Sequence, residues 1–209
     1  PGKSLFPEWL IGVEKTLREE YPATTVTVDH AKAKAYLALA QQELGLAKLP
    51  EITLLTSDNP VSNIQSEWLQ EVLKQTLGIT VKIDKQIFKQ RLAKMTSGDF
   101  DLLLGGWGPD YNDPLTYGDL FASWNLNNRG KYNSPQMDEL VATAQNATAT
   151  PDRMQAFGDI QRQLFDDVVI LPMYERGVTY VVHPQLKGVK RRVIGAETDY
   201  TYAYLDPDT

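Results

Sequence analysis

Residues 51–106 read "EITLLTSDNPVSNIQSEWLQEVLKQTLGITVKIDKQIFKQRLAKMTSGDFDLLLGG". Within this stretch "EITLLTS", "ITVKID" and "FDLLLGG" are apolar or alternating runs of the length of β-strands. The segments between them have helical spacing. The first segment contains two apolar rows: one is formed by Ile64, Trp68 and Val72, and the other by Leu69, Leu73 and Leu77. Crossovers of this length join parallel strands. The pattern therefore predicts an open, doubly wound, mostly parallel α/β sheet with flanking helices.

Local signals mark the ends of the first helices. Asp29 is a suitable N-cap for a helix that Gly45 would close. Ser62 and Gln65 fit the capping box of the next helix, which Gly78 would close. These positions predict two helices of ordinary length, one before and one after the first strand.

The flanking parts of the chain carry weaker signals. Ser134-Pro135 and Thr150-Pro151 each place a hydroxyl before a proline, which predicts two helices that begin with proline in the first turn. "PEWLIGVEKTLREE" near the start favours a short helix, and "VVILPMYERGVTYVV" favours extended structure. In "YTYAYL" three tyrosines alternate on one face: Tyr200, Tyr202 and Tyr204.

Composition limits the function classes. The 209 residues carry a formal net charge of −6, which argues against nucleic acid because such partners need a basic face. No apolar run is long enough to span a membrane. The absence of cysteine removes disulfides, thiolate metal sites and cysteine nucleophiles. The only histidines, His30 and His183, are interpreted as surface or turn residues, so that no metal or other cofactor is expected.

The stretch "GGWGPDYNDP", residues 105–114, follows the third predicted strand. It places two aromatic residues and two carboxylates after a strand, where open α/β sheets bind ligands. The glycines do not have the spacing of a dinucleotide motif, no phosphate-loop lysine is present, and the aspartates would repel an anion. The loop is thus not predicted to bind a nucleotide.

Other uses of the loop remain open. Asp110, Asn112 and Asp113 could supply oxygen ligands to calcium, although the EF-hand spacing fails. Asp110 and Asp113 could act as the acid and base of a small hydrolase, but no sequence fixes the separation that such chemistry needs. In the simplest interpretation, Asn112 or Asp113 caps a helix that begins at Pro114. That interpretation leaves Asp110 and the two aromatic residues without a role.

A ligand-binding loop accounts for more of these residues. A carboxylate such as that of Asp110, beside aromatic walls and glycines that admit close approach, suits a cationic group. An amine held there would gain a charge-assisted hydrogen bond of about 1.5–3 kcal/mol where water is excluded.

Several segments together resemble the C-terminal lobe of the oligopeptide-binding proteins, the family 5 solute-binding proteins of ABC importers. The segments are "DHAKAKAYLALAQQELG", "SGDFDLLLGGWGPDYNDP", "NNRGKYNSPQMDELVATAQ" and "RMQAFGDIQRQLFDDVVILPMYERGVTYVV". Their order and spacing carry the resemblance from about Asp29 to Val182. It implies a lobe of the type II periplasmic-binding-protein class, and a binding protein rather than an enzyme.

The resemblance also implies roles for the loop. Asp110 lies in the "DYN" motif, whose aspartate pairs with the α-amino group of a peptide. Trp107 would line a side-chain pocket, and Tyr111 would form a second wall. Backbone groups from Gly106 to Gly108 would pair with the peptide main chain. The expected ligand-binding residues are, in full, Asp110, Trp107, Tyr111, Gly106, Gly108 and Asn112.

The expected partners follow from the same resemblance. They are a peptide ligand, the permease subunits of an ABC importer, and an N-terminal lobe of the same protein. An extracytoplasmic location is expected, periplasmic or anchored as a lipoprotein to the outer face of the cell membrane. A sugar or nickel complex as ligand, and a purely structural or docking module, remain alternatives.

A domain organisation is expected as well. The opening "PGKSLFPEWL" resembles an internal stretch of a longer protein. Residues 1–28 are predicted to be an extension from the preceding part of that protein. Residues 29–209 are predicted to form the ligand-binding lobe as a single α/β domain.

Overall fold

The computed structural model describes residues 4–25, 27–192, 194–195 and 197–207. They form two compact units. We call Thr25–Gly106 with Leu126–Lys131 the sheet unit, and residues 1–24, Trp107–Asn125 and Tyr132–Thr209 the helical unit. Along the chain the regular elements are α1 (Leu17–Glu20), α2 (His30–Leu44), β1 (Ile52–Ser57), α3 (Pro60–Leu77), β2 (Val81–Gln86), α4 (Phe88–Ser97), β3 (Leu102–Leu103), α5 (Leu115–Gly118), a 3-10 turn (Asp119–Phe121), α6 (Pro135–Asn146), α7 (Thr150–Asp166), β4 (Leu186–Lys187), β5 (Lys190–Arg191), β6 (Thr198–Asp199) and β7 (Tyr204–Leu205).

The sheet unit is built on three parallel strands in the order β2-β1-β3. The central strand β1 carries Leu54 and Leu55, which are fully buried. Helices α3 and α4 pack against this sheet. The predicted α/β class with parallel strands and flanking helices is confirmed. The third strand is shorter than "FDLLLGG" suggested, because its ladder with β1 pairs only Leu102 and Leu103.

Most of the predicted helix ends in this unit are confirmed. Asp29 caps α2 by accepting a hydrogen bond from the backbone N–H of Lys32 at 2.9 Å. Gly45 and Gly78 close α2 and α3 in the left-handed conformation, with φ of 66° and 67°. The capping box at Ser62 and Gln65 was wrong. Helix α3 begins earlier, at Pro60, and is capped by the Asn59 side chain, which accepts from Ser62 N–H at 3.0 Å.

The apolar rows of α3 are only partly used. Ile64 is 70% exposed and Trp68 is 58% exposed, so this row does not form the interior that its spacing suggested. The helix packs against the sheet through another row, in which Ser66 is fully buried. In addition, Gln70 Nε2 donates to the carbonyl oxygen of Val81 at 2.7 Å, at the start of β2.

The helical unit has its own apolar core, in which α6 and α7 pack side by side. Its buried members come from three separate parts of the chain: Phe6, Leu10, Leu17, Tyr117, Ala122, Met137, Val141, Ala144, Met154, Ala156, Phe157, Ile160 and Leu164. The buried side chain of Gln161, on α7, forms hydrogen bonds with residues near the beginning of the chain. Its Oε1 accepts from Ser4 Oγ at 2.6 Å and from Leu5 N–H at 3.0 Å, and its Nε2 donates to the carbonyl of Tyr21 at 3.0 Å.

The chain therefore divides differently from the predicted extension over 1–28 and single domain over 29–209. Residues 4–24 are part of the helical core because Phe6, Leu10 and Leu17 are buried in it. The assignment of the chain to one lobe of a longer protein is untouched by this division and remains a prediction.

Four details of the helical unit differ from the sequence pattern. Only Leu17–Glu20 of "PEWLIGVEKTLREE" is helical. Ser134 caps α6 as predicted, but α7 begins at Thr150 itself and its N-cap residue, Ala149, has no capping side chain. Among the described residues, no strand forms between 168 and 185, and of the three alternating tyrosines only Tyr204 lies in a strand.

Candidate ligand-binding site

The residues predicted to bind a ligand lie where the chain passes from one unit to the other. Gly106 ends a segment of the sheet unit, and Trp107 begins a segment of the helical unit. The other four predicted residues, Gly108, Asp110, Tyr111 and Asn112, all belong to the helical unit and are exposed. A Cβ added at either glycine would meet no atom within 4 Å, so the backbone there is open to a neighbour.

The side chain of Asp110 is exposed. In the part of the chain that the structure describes, its carboxylate forms neither an ion pair nor a side-chain hydrogen bond. Nearby, Trp107 is 38% exposed and Tyr111 is 43% exposed. An exposed carboxylate thus lies in the same short loop as two accessible aromatic side chains.

A residue missed by the sequence analysis holds this loop in place. Thr116, on α5, is 2% exposed. Its hydroxyl oxygen accepts hydrogen bonds from the backbone N–H of Asp110 at 3.1 Å and from Trp107 Nε1 at 3.3 Å. Two of the predicted ligand-binding residues are therefore attached to one buried oxygen.

Asp113 has a structural partner that sequence reasoning also missed. The two carboxylate oxygens of Asp113 accept hydrogen bonds from Arg153 NH1 and NH2 of α7, at 2.8 and 2.7 Å. Oδ1 also accepts from Leu115 N–H at 2.9 Å. The predicted N-cap at Asn112 or Asp113 was wrong, because α5 begins at Leu115, with Pro114 at the N-cap position and no capping side chain. A bidentate pair of this kind occupies the carboxylate that the calcium and hydrolase interpretations required.

Arg153 connects the loop to two helices. Its Nε donates to the carbonyl of Ala144 on α6 at 2.8 Å, and its guanidinium lies 5.1 Å from the centre of the Phe157 ring. Burial raises the pKa of Asp113, but the hydrogen bonds from Arg153 and Leu115 and the guanidinium charge outweigh it, so the pKa of Asp113 is lowered overall. The pKa of Arg153 is raised by the same pair.

The surroundings of the loop remain negative. Burial raises the pKa of Asp119, and the charge of Asp110 raises it further. Burial also raises the pKa of Tyr111, with contributions from the charges of Asp119, Asp113 and Asp110. Since Arg153 is engaged with Asp113, the loop favours a cation over an anion at its surface.

We expect Arg153→Met to lower the free energy of unfolding by about 2 kcal/mol at neutral pH, between the values for buried and surface pairs. A carboxylate whose pKa is lowered in the folded state stabilises the fold at pH values above its unfolded-state pKa, and this stabilisation is lost as the pH falls. The difference between wild type and variant should therefore shrink once the pH drops below the ordinary Asp113 value of 3.8.

Chemical unfolding followed at several pH values tests this prediction. Arg162→Met is the matched control, because Arg162 forms a more exposed pair with Asp159 on the same helix. That control should change stability by less than about 0.5 kcal/mol. Equal effects of the two substitutions would contradict the structural importance of the Arg153–Asp113 pair.

The described residues contain neither a cluster of metal-ligating side chains nor a membrane-spanning helix. Among the described residues, His, Asp and Glu side chains form no group of three or more that could hold a metal ion. No helix in that part of the chain combines the length and apolar character needed to cross a membrane.

Comparison with known proteins identifies the family. Residues 1–129 match the group described as "Bacterial extracellular solute-binding proteins, family 5 Middle". The chain belongs to this family. The family predicted from the sequence is thereby confirmed, and it is a family of solute-binding proteins.

The chain is also similar to proteins of known name or structure. A dipeptide-binding protein of Lactococcus lactis is 31% identical over 206 residues, which is 93% of this chain and 37% of the relative. The substrate-binding domain of an oligopeptide ABC transporter from Bacillus anthracis is 32% identical, with a TM-score of 0.82 over 92% of this chain and 38% of that one. A Listeria monocytogenes OppA solved with bound peptide is 27% identical, with a TM-score of 0.85 over 98% of this chain and 40% of that one.

These likenesses confirm the predicted type II periplasmic-binding-protein fold. They also show that the chain spans between 30% and 37% of the length of three curated relatives.

Proposed function

We propose that this chain is the ligand-binding lobe of a family 5 protein that binds peptides outside the cytoplasm and delivers them to an ABC importer. The names of the relatives support a peptide ligand, since they include dipeptide- and oligopeptide-binding proteins. The chain covers 37% of the length of the dipeptide-binding protein of Lactococcus lactis. In this proposal, a second lobe of the same protein completes the ligand-binding cleft.

One observation carries the assignment of the site: Asp110 is exposed and unpaired within the described residues, while its neighbour Asp113 is fully engaged with Arg153. In the proposed site, Asp110 pairs with the α-amino group of the peptide. Trp107 and Tyr111 form walls for side chains. The backbone from Gly106 to Gly108 pairs with the peptide main chain, which leaves the side-chain identity of the ligand unread. Asn112 shapes the turn beside them.

The rival functions are less well supported by the geometry. A hydrolase that uses Asp110 and Asp113 as acid and base would need a carboxylate that Arg153 now holds. A solute other than a peptide, such as a sugar or a nickel complex, would leave the negative charge of Asp110 either unused or in another role.

The partners and location belong to the same proposal. Peptide delivery requires the permease subunits of an importer, which the binding protein would meet at the outer face of the membrane. In this arrangement the protein is held near the permease by a lipid anchor or is confined to the periplasm.

Calorimetry on the full-length protein tests this function. We expect binding of free-amine peptides, no binding of simple sugars or nickel complexes, and no turnover of glycoside or ester substrates. The isolated 209 residues should bind the same peptides more weakly than micromolar, because half of the cleft is missing. Turnover, or peptide binding by neither protein, would contradict the proposal.

A further inference from the structure

Thr116 is buried, and its hydroxyl is hydrogen-bonded to both Asp110 and Trp107. We infer that Thr116 is a positioning residue of the ligand site, which sets the place of the Asp110 carboxylate relative to the Trp107 indole. This inference rests on the proposed function, because it assigns a role within the same site. Thr116 touches no ligand in this role and acts only through the two residues that do.

The geometry of the hydroxyl supports the inference. A threonine oxygen has two lone pairs, and both are used here, one by a backbone N–H and one by an indole N–H. Fixing the N–H of Asp110 fixes the backbone from which its side chain extends, and this limits the positions that its carboxylate can reach. Fixing the indole of Trp107 at its only polar atom orients the ring. A binding site loses affinity when its groups are held only loosely, even when every group is present.

Helix α5, which carries Thr116, has contacts at both of its ends. Helix α5 starts at Leu115, whose N–H is held by Asp113, and Asp113 is held by Arg153. At the other end of α5, Gly118 lies so close to Phe157 that an added Cβ would be 3.1 Å from the ring. Contacts with α7 thus hold α5 and the Thr116 hydroxyl in place, and the hydrogen bonds to this hydroxyl hold the exposed loop.

A purely structural role would predict a different outcome. If Thr116 only contributed to stability, removal of its hydroxyl would lower the melting temperature without changing the loop in the folded protein. The test therefore needs readouts at Asp110 and Trp107 themselves, measured in the absence of ligand.

The experiment uses the full-length protein with Thr116→Val, which keeps the volume and removes the acceptor, and Thr116→Ser, which keeps the hydroxyl. Thr56→Val is the matched control, because Thr56 is fully buried in β1 and its hydroxyl has no partner among the described residues. If valine is not tolerated at position 116, Thr116→Ala takes its place.

In the ligand-free protein, Thr116→Val should speed hydrogen exchange at the Asp110 amide by roughly 5–30-fold and shift the Trp107 indole N–H resonance. Its affinity for a free-amine peptide should fall by roughly 5–30-fold, the loss expected for one or two neutral hydrogen bonds. Thr116→Ser should remain close to wild type in all three measurements, and so should Thr56→Val.

The outcomes separate the inference from the proposed function. Unchanged exchange at Asp110 and an unchanged indole signal in Thr116→Val would overturn the positioning role, whatever the ligand. Wild-type peptide affinity in Thr116→Val, together with weakened affinity in Asp110→Asn, would overturn it as well. Wild-type affinity in Asp110→Asn would instead overturn the assignment of the site.

Discussion

Asp110→Asn in the full-length protein is expected to weaken the affinity for free-amine peptides by roughly 10–150-fold. The substitution keeps the size of the side chain and removes its charge. A hydrogen bond between a carboxylate and an ammonium contributes about 1.5–3 kcal/mol net, and each 1.4 kcal/mol is a factor of ten in affinity. The loss should be visible because the Asp110 carboxylate has no ion pair among the described residues, so that its charge is available to the ligand.

Calorimetry with one free-amine peptide measures this loss directly. Asp166→Asn is the control, since Asp166 is another exposed aspartate of the helical unit, at the end of α7. It should bind the peptide as wild type does. Asparagine at 110 should leave the melting temperature nearly unchanged, because an exposed carboxylate without a partner contributes little to the fold. Equal affinities for wild type and Asp110→Asn would remove Asp110 from the site.

Phe157→Ala is expected to lower the free energy of unfolding by about 3–5 kcal/mol, as large-to-small substitutions of buried aromatic residues do. The Phe157 ring is fully buried in the helical core and meets Phe6 edge to face, with 5.8 Å between ring centres. It also lies beneath Gly118 and the Arg153 guanidinium. Its removal should therefore loosen α5 as well as open a cavity.

Chemical unfolding measures the loss, with Phe157→Leu as the comparison. Leucine fills part of the cavity, so its effect should be smaller than that of alanine. A second consequence is specific to this structure: Phe157→Ala should also speed exchange at the Asp110 amide, since α5 carries Thr116. A loss below about 1 kcal/mol would contradict the central place of Phe157 in the core.

The parts of the fold that were predictable are those with local signals. Asp29, Gly45 and Gly78 act within one turn of their own helices, so their roles can be inferred from neighbouring residues alone. The three strands were recognisable because short apolar runs alternate with helical spacing along the chain. The parallel orientation of the strands follows from the length of the crossover segments that connect them.

The parts that escaped prediction depend on distant residues. Gln161 fastens Ser4, which is 157 positions away, and no periodicity points to such a contact. Ile64 and Trp68 show the opposite failure, because a perfect apolar spacing does not say which row of the helix meets the sheet. The start of α3 is ambiguous in the sequence, because Asn59-Pro60 and the capping box at Ser62 and Gln65 are equally good signals for a helix start.

The site divides in the same way. The "DYN" motif and the neighbouring tryptophan are local, so Asp110 and Trp107 could be proposed from the sequence. Arg153 lies 40 positions from Asp113, and its pairing is what occupies the Asp113 carboxylate and distinguishes it from that of Asp110. Thr116 is close along the chain, but a threonine within a short helix gives no sign that its hydroxyl accepts from the loop before it.

The comparison of a free-amine peptide with its N-acetylated form, in wild type and in Asp110→Asn, tests the pairing of Asp110 with a ligand amine most directly. Acetylation removes the charge of the ligand, and the substitution removes the charge of the protein. Wild type should prefer the free amine by roughly 10–150-fold, and Asp110→Asn should bind the two forms almost equally. An equal preference for the free amine in both proteins would contradict the account, because it would show that a group other than Asp110 binds the ligand amine.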